Sequence, residues 1–183
     1  MGYSADAAVS FGFNLGTLYD DETFEFTGPA WMVRSGYTYA DEFDQAAYSD
    51  LYPPEDFDDV LATLLGWQAF VGPVDFQDKE SAGYKAWDVS YLEKRRLIAD
   101  AGLADIELER YGHFEDDERP YMVRVKSSAM RVDCLRSLVV DPAVMAQLVD
   151  DHPEWIEALR KFAHLLELPV TGDPAWVLTV SYG

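Results

Sequence analysis

Basic side chains are nearly missing from the first 80 residues, where only Arg34 and Lys79 stand against sixteen Asp and Glu. Residues 81–183 hold twelve bases against eighteen acids, so the formal charge of −20 divides as −14 and −6. Cysteine is reduced to Cys134, which excludes an intramolecular disulfide. With no Cys/His pattern around it, that thiol reads as a small buried hydrophobe. The three histidines, His113, His152 and His164, never stand three or four residues apart, so zinc ligation of ordinary spacing is excluded. No uninterrupted apolar run approaches the roughly 18 residues of a membrane-spanning helix. Also missing are a Gly-x-Ser-x-Gly elbow, a Walker loop and a dinucleotide-binding glycine fingerprint. The opening Met1-Gly2-Tyr3-Ser4-Ala5-Asp6 has no basic segment, and Asp6 stands where a myristoylation motif takes Ser or Thr. These features read as a cytoplasmic protein without a leader, and its charge opposes contact with membranes and with nucleic acid directly.

What is present argues for a folded chain. Hydrophobic residues make up 49% and aromatic residues 14%, too much apolar surface for disorder despite the charge. Val9, Phe11, Phe13 and Leu15 alternate with Ser10, Gly12 and Asn14, which predicts a strand over 7–15. Residues 17–53 interleave aromatics with acids. Short strands are predicted at 23–26 and 31–39 and a short helix at 41–48. Pro53-Pro54-Glu55-Asp56 opens a helix over 54–65 on a Phe57, Val60, Leu61, Leu64 and Leu65 stripe, closed by Gly66. Residues 67–87 read as loop, punctuated by Gly72-Pro73 and Gly83. A second helix is predicted over 88–101 with Val89, Leu92 and Ile98 inward and Gly102 ending it. Strands at 104–112 and 121–127 form a hairpin whose chain restarts as a strand somewhere in 128–133. Asp141-Pro142 and His152-Pro153 open helices over 142–150 and 153–166, and 175–182 closes as a strand. The pattern predicts an α+β domain over 1–183, with a mostly antiparallel or mixed four-stranded sheet, helices on one face and an acidic, aromatic-rich insertion at 17–87.

Chemistry-bearing clusters reduce to ordinary surface. His113 followed by Glu115-Asp116-Asp117-Glu118 reads as a solvated hairpin loop. Asp56, Asp58 and Asp59 read as an acidic helix start without the glycine of a calcium loop. Lys94-Arg95-Arg96 reads as an exposed helical face paired with Glu93 and Asp100. The expectation is no catalytic residue, no metal and no cofactor.

The acidic block is the remaining constellation. Same-sign charge at this density opposes compaction, and acids near duplex phosphate spacing can occupy a basic nucleic-acid cleft. Asp20, Asp21, Glu22, Glu25, Asp41, Glu42, Asp44, Asp50, Glu55, Asp56, Asp58 and Asp59 are the candidate contact residues. Trp31, Tyr37 and Tyr39 are candidate aromatic anchors. The partner this implies is a basic protein surface, a nucleic-acid-binding cleft, rather than nucleic acid or membrane. An Asp-rich, Lys-poor composition also fits salt adaptation or plain solvation, though less well the −14/−6 split. Two other classes remain open. One is an apolar-patch assembly module using Trp31, Tyr37, Tyr39 and Trp67, and the other is a carboxylate-dependent, metal-assisted hydrolase with Mg²⁺.

The opening Met1-Gly2-Tyr3-Ser4, the strand Val9-Ser10-Phe11-Gly12-Phe13 and the segment Pro120-Tyr121-Met122-Val123-Arg124-Val125 resemble small, uncharacterised acidic bacteriophage accessory proteins. The likeness covers about thirty residues. It implies a phage-type protein that binds host machinery, including defence effectors, as a DNA mimic, and it transfers no catalytic residue.

Overall fold

In the computed structural model the described residues are 5–18, 27–32, 57–113, 120–132 and 137–182. Six strands form one sheet: β1 (Ala5–Gly16), β2 (Ile106–Arg110), β3 (Gly112–His113), β4 (Tyr121–Val125), β5 (Met130–Val132) and β6 (Ala175–Tyr182). The helices are α1 (Phe57–Leu64), α2 (Ala82–Asp100), α3 (Pro142–Asp151) and α4 (Glu154–Leu165). By contact the chain divides into two compact units, one of residues 1–54 with 105–183 and one of residues 55–104.

In the first unit β1 is the organising strand. It runs antiparallel to β6 from Ala5 to Gly12, to β4 from Gly12 to Gly16, and to β5 from Ala7 to Val9. β2 completes the expected hairpin with β4, Ile106 facing Val125 and Arg110 facing Tyr121. The four expected strands therefore become six, with β5 supplying the restart after β4. β3 leaves the hairpin to pair parallel with β6. Two- and three-residue strands carry no alternation long enough to read, which is why β3 went unpredicted.

One sheet face and α4 enclose the core. Phe11, Phe13, Ile106, Leu108, Val123 and Val125 are buried there with Trp155, Leu159 and Phe162 of the helix. The Phe11 ring lies 6.1 Å from that of Trp155 and 5.6 Å from that of Trp176. The period-two and period-3.6 patterns thus meet as expected. Asp141 caps α3 through Oδ1, which accepts from the Ala143 amide at 2.9 Å, with Pro142 in the first turn.

β4 departs from its predicted alternation, because all five residues are buried. Arg124 is 1% exposed and directly opposite Gly12. Its guanidinium reaches Glu107 Oε1 at 2.6 Å and Glu109 Oε2 at 2.5 Å, with Ser10 Oγ at 3.3 Å. A buried cation needs this pairing, and small residues on β1 leave it room.

In the second unit, α2 begins six residues before the predicted start. Ser81 caps it, its Oγ accepting from the Tyr84 amide at 3.2 Å. Gly83, expected to break structure, instead lies in the first helical turn. A Cβ there would meet the Pro73 carbonyl oxygen at 2.3 Å, so the missing side chain lets the loop cross the helix. Val89 and Leu92 were expected inward but are 67% and 55% exposed, whereas Ile98 is buried as expected. The other buried residue of α2 is Lys94, which reaches Asp59 on α1. The predicted elements at 23–26 and 41–48, and at 33–39 within the strand predicted from 31, lie outside the described residues. Trp31 itself is in a 3-10 turn, Ala30–Met32.

Candidate binding site on the helical unit

Tyr84, Trp87, Tyr91 and Lys94 recur at helical spacing along α2 and so share one of its sides. Trp87 stacks on Tyr91 at 5.4 Å, packs at 5.6 Å from Tyr84 and takes the edge of Phe76 at 5.2 Å. The loop returning from α1 adds Trp67. Its indole Nε1–H donates to the Ser90 carbonyl at 2.8 Å, while Ser90 Oγ donates back to the Gln68 carbonyl at 3.2 Å. These two bonds pin residues 67–68 to α2 and fix the plane of the indole.

A pocket of about 300 Å³ opens between these groups, lined by Asp59, Trp67, Ala69, Phe70, Trp87, Ser90, Tyr91 and Lys94. Lys94 is 8% exposed. Its Nζ lies 5.6 Å from the Trp67 ring centroid and 5.2 Å from that of Tyr91. It also donates to Asp59 Oδ1 on α1 at 2.7 Å. Two aromatic faces and a carboxylate together supply what a desolvated ammonium lacks. Chemically the pocket offers flat apolar walls with one donor and one acceptor side by side. Gly72 leaves room for the Phe70 ring, which a Cβ at that position would meet at 2.5 Å.

This arrangement corrects the reading of 94–96 as one exposed face. Arg96 does pair within α2, at 2.7 Å to Glu93 and 2.5 Å to Asp100. Lys94 does not: it points inward and bridges two helices. The spacing of Lys94 from Trp87 and Tyr91 would have revealed this once the helix was started at 82.

The expected contact residues are placed as follows. Asp58 is exposed in the first turn of α1, and Asp59 belongs to the pocket through its ion pair. Trp31 donates its Nε1–H to the Leu166 carbonyl at 2.7 Å, so its polar edge is engaged inside its own unit. Asp20, Asp21, Glu22, Glu25, Tyr37, Tyr39, Asp41, Glu42, Asp44, Asp50, Glu55 and Asp56 lie outside the described residues. Among the described residues there is no group of three or more His, Cys, Asp and Glu able to hold a metal ion, and no helix is long and apolar enough to cross a membrane.

The first unit holds a larger depression of about 720 Å³ beside the end of α4, lined by Phe13, Arg160, His164 and Leu168 among others. Arg160 is committed there to Asp173 at 2.5 Å.

The Arg124 cluster has a pH consequence. Burial raises the Glu109 carboxyl above its ordinary value, the nearby Arg124 and Arg131 pull it back, and Glu107 adds to the rise. Glu109 thus holds its proton more readily folded than unfolded. The stability this contributes is complete below the ordinary carboxylate range and is lost as pH rises through the folded value. Glu109→Gln, which removes the ionisation, should match the parent most closely at acid pH and gain on it towards neutrality. Urea unfolding at the two ends of that range checks this. A variant that loses ground as pH rises would show that the pairing with Arg124 outweighs the burial.

No protein-family model matches the chain, and no curated protein or solved structure matches it.

Proposed function

We propose that this protein is a non-enzymatic binding module whose acidic surface engages a basic protein surface of the kind that otherwise holds nucleic acid. It would act as a phage-type inhibitor of a host nucleic-acid-binding or defence protein by imitating a duplex. The observation that supports this is how the cations are used. Lys85 is paired with Glu80, Lys94 with Asp59, Arg96 with Glu93 and Asp100, Arg124 with Glu107 and Glu109, and Arg160 with Asp173. With 14 bases for 34 acids, internal pairing leaves a large excess of carboxylates without a cation. Their mutual repulsion opposes folding, whereas a basic partner would relieve it and be steered towards them.

The test is a pull-down from bacterial lysate washed at low and then high salt, followed by competition. A captured protein should bind duplex DNA, release it when this chain is added, and leave the chain as salt rises. A captured protein that stays bound at about 0.5 M salt, or that binds this chain and duplex DNA together, would contradict the reading.

The exposed Val89 and Leu92 on α2 favour a second reading, assembly through an apolar patch. Size-exclusion mass at two salt concentrations separates the two. Self-association that survives high salt belongs to the patch, and a salt-independent monomer argues against it.

A further inference from the structure

We infer that the pocket between α1 and α2 binds an uncharged heteroaromatic ring carrying a hydrogen-bond acceptor next to a donor, the pattern of an adenine edge. This inference stands on the geometry of the second unit and is independent of the acidic-surface reading. Four aromatic side chains, Trp67, Phe70, Trp87 and Tyr91, line a space of about 300 Å³. That volume is at the small end of ligand pockets and suits one ring system rather than a peptide. The walls are held in place before any ligand arrives. Trp67 is fixed by its bond to the Ser90 carbonyl, and Trp87 is fixed by contacts with Phe76, Tyr84 and Tyr91. Preorganised stacking surfaces lose little freedom on binding.

The polar groups then select charge and edge. Lys94 Nζ carries three N–H groups, and one of them is directed to Asp59. Asp59 keeps further lone pairs and a half-exposed side chain. A ligand acceptor can take a second Lys94 N–H while a neighbouring ligand donor bonds to Asp59. An incoming cation would meet the Lys94 ammonium already seated over Trp67 and Tyr91. An anion would meet Asp59 and a chain of net charge −20. A neutral ring avoids both costs. Adenine presents N7 as acceptor beside the N6 amino donor, which fits the Lys94–Asp59 pair.

Calorimetric titration with adenosine tests the assignment, with N6,N6-dimethyladenosine, adenosine monophosphate and agmatine as comparators. The expected result is a single saturable site for adenosine. Loss of the donor in the dimethyl analogue, the added negative charge of the monophosphate and the positive charge of agmatine should each weaken binding by about tenfold or more. Trp87→Leu and Phe70→Leu should each weaken adenosine by about tenfold. Asp59→Ala, which removes the acceptor for the N6 hydrogens, should abolish the preference for adenosine over its dimethyl analogue, a readout that loss of stability alone would not produce. Arg95→Ala, on an exposed part of the same helix, should bind as the parent does. Far-ultraviolet circular dichroism establishes which variants are folded, and either wall variant suffices. No saturable adenosine binding up to roughly millimolar concentration would overturn the inference. So would agmatine binding as well as adenosine, or folded wall variants that bind unchanged.

Discussion

Replacing Gly12 with alanine should force β1 away from β4 and cost about 3 kcal/mol or more, a large part of a typical domain's stability. An alanine Cβ at this position would lie 1.9 Å from the Val123 carbonyl oxygen, 2.8 Å from the Arg124 Cα and 2.9 Å from the Val123 carbonyl carbon. All three are backbone atoms of the neighbouring strand. No rotamer change relieves the overlap, so the strands themselves must part. β1 pairs with three other strands, and Gly12 is where the pairing with β4 begins and that with β6 ends. Displacement there would also disturb Arg124, which sits opposite Gly12 between Glu107 and Glu109. A separated guanidinium would add the penalty of a buried charge without its partners. Urea unfolding followed by far-ultraviolet circular dichroism measures the loss. A midpoint unchanged to within about 0.5 kcal/mol would mean that β1 and β4 are not in this register.

The parts of the fold that the sequence disclosed are those with long, regular burial. The spacing of Trp155, Ile156, Leu159, Phe162, Ala163 and Leu166 marks one side of α4, and all of these but Ile156 are buried, while β1, β2, β4 and β6 lie where alternation places them. The helix ends marked by Gly66 and Gly102 are found with positive φ at both residues, the backbone conformation for which glycine is suited.

The features that escaped depend on partners distant in sequence. Arg124 looks like the solvent side of a half-buried strand, and only the register opposite Gly12 shows why it can be buried. Lys94 looks like one charge in a run of three, and Asp59 is 35 residues away. Gly83 looks like a breaker because its reason is the Pro73 carbonyl, a contact made only after the loop folds back. Reading it as a stop hid the first turn of α2, and with it the spacing of Tyr84, Trp87 and Tyr91 that builds the pocket. Ligand pockets of this kind are assembled from residues whose local patterns suggest only helix or loop.

The central claim is that a particular set of carboxylates, rather than net charge, binds the partner. It is tested most directly by comparing two fourfold charge reversals with equal effect on total charge. One variant carries Asp20→Lys, Asp21→Lys, Asp41→Lys and Glu42→Lys, in the strongly acidic first part of the chain. The other carries Asp150→Lys, Asp151→Lys, Glu154→Lys and Glu157→Lys, around the junction of α3 and α4. The quantity measured is affinity for the basic protein captured by the parent chain, at low and at physiological salt. If the acidic block is the binding face, the first variant should lose at least about tenfold more affinity than the second and show a flatter salt dependence. Equal losses from the two variants would contradict the account, because net charge alone would then explain the attraction.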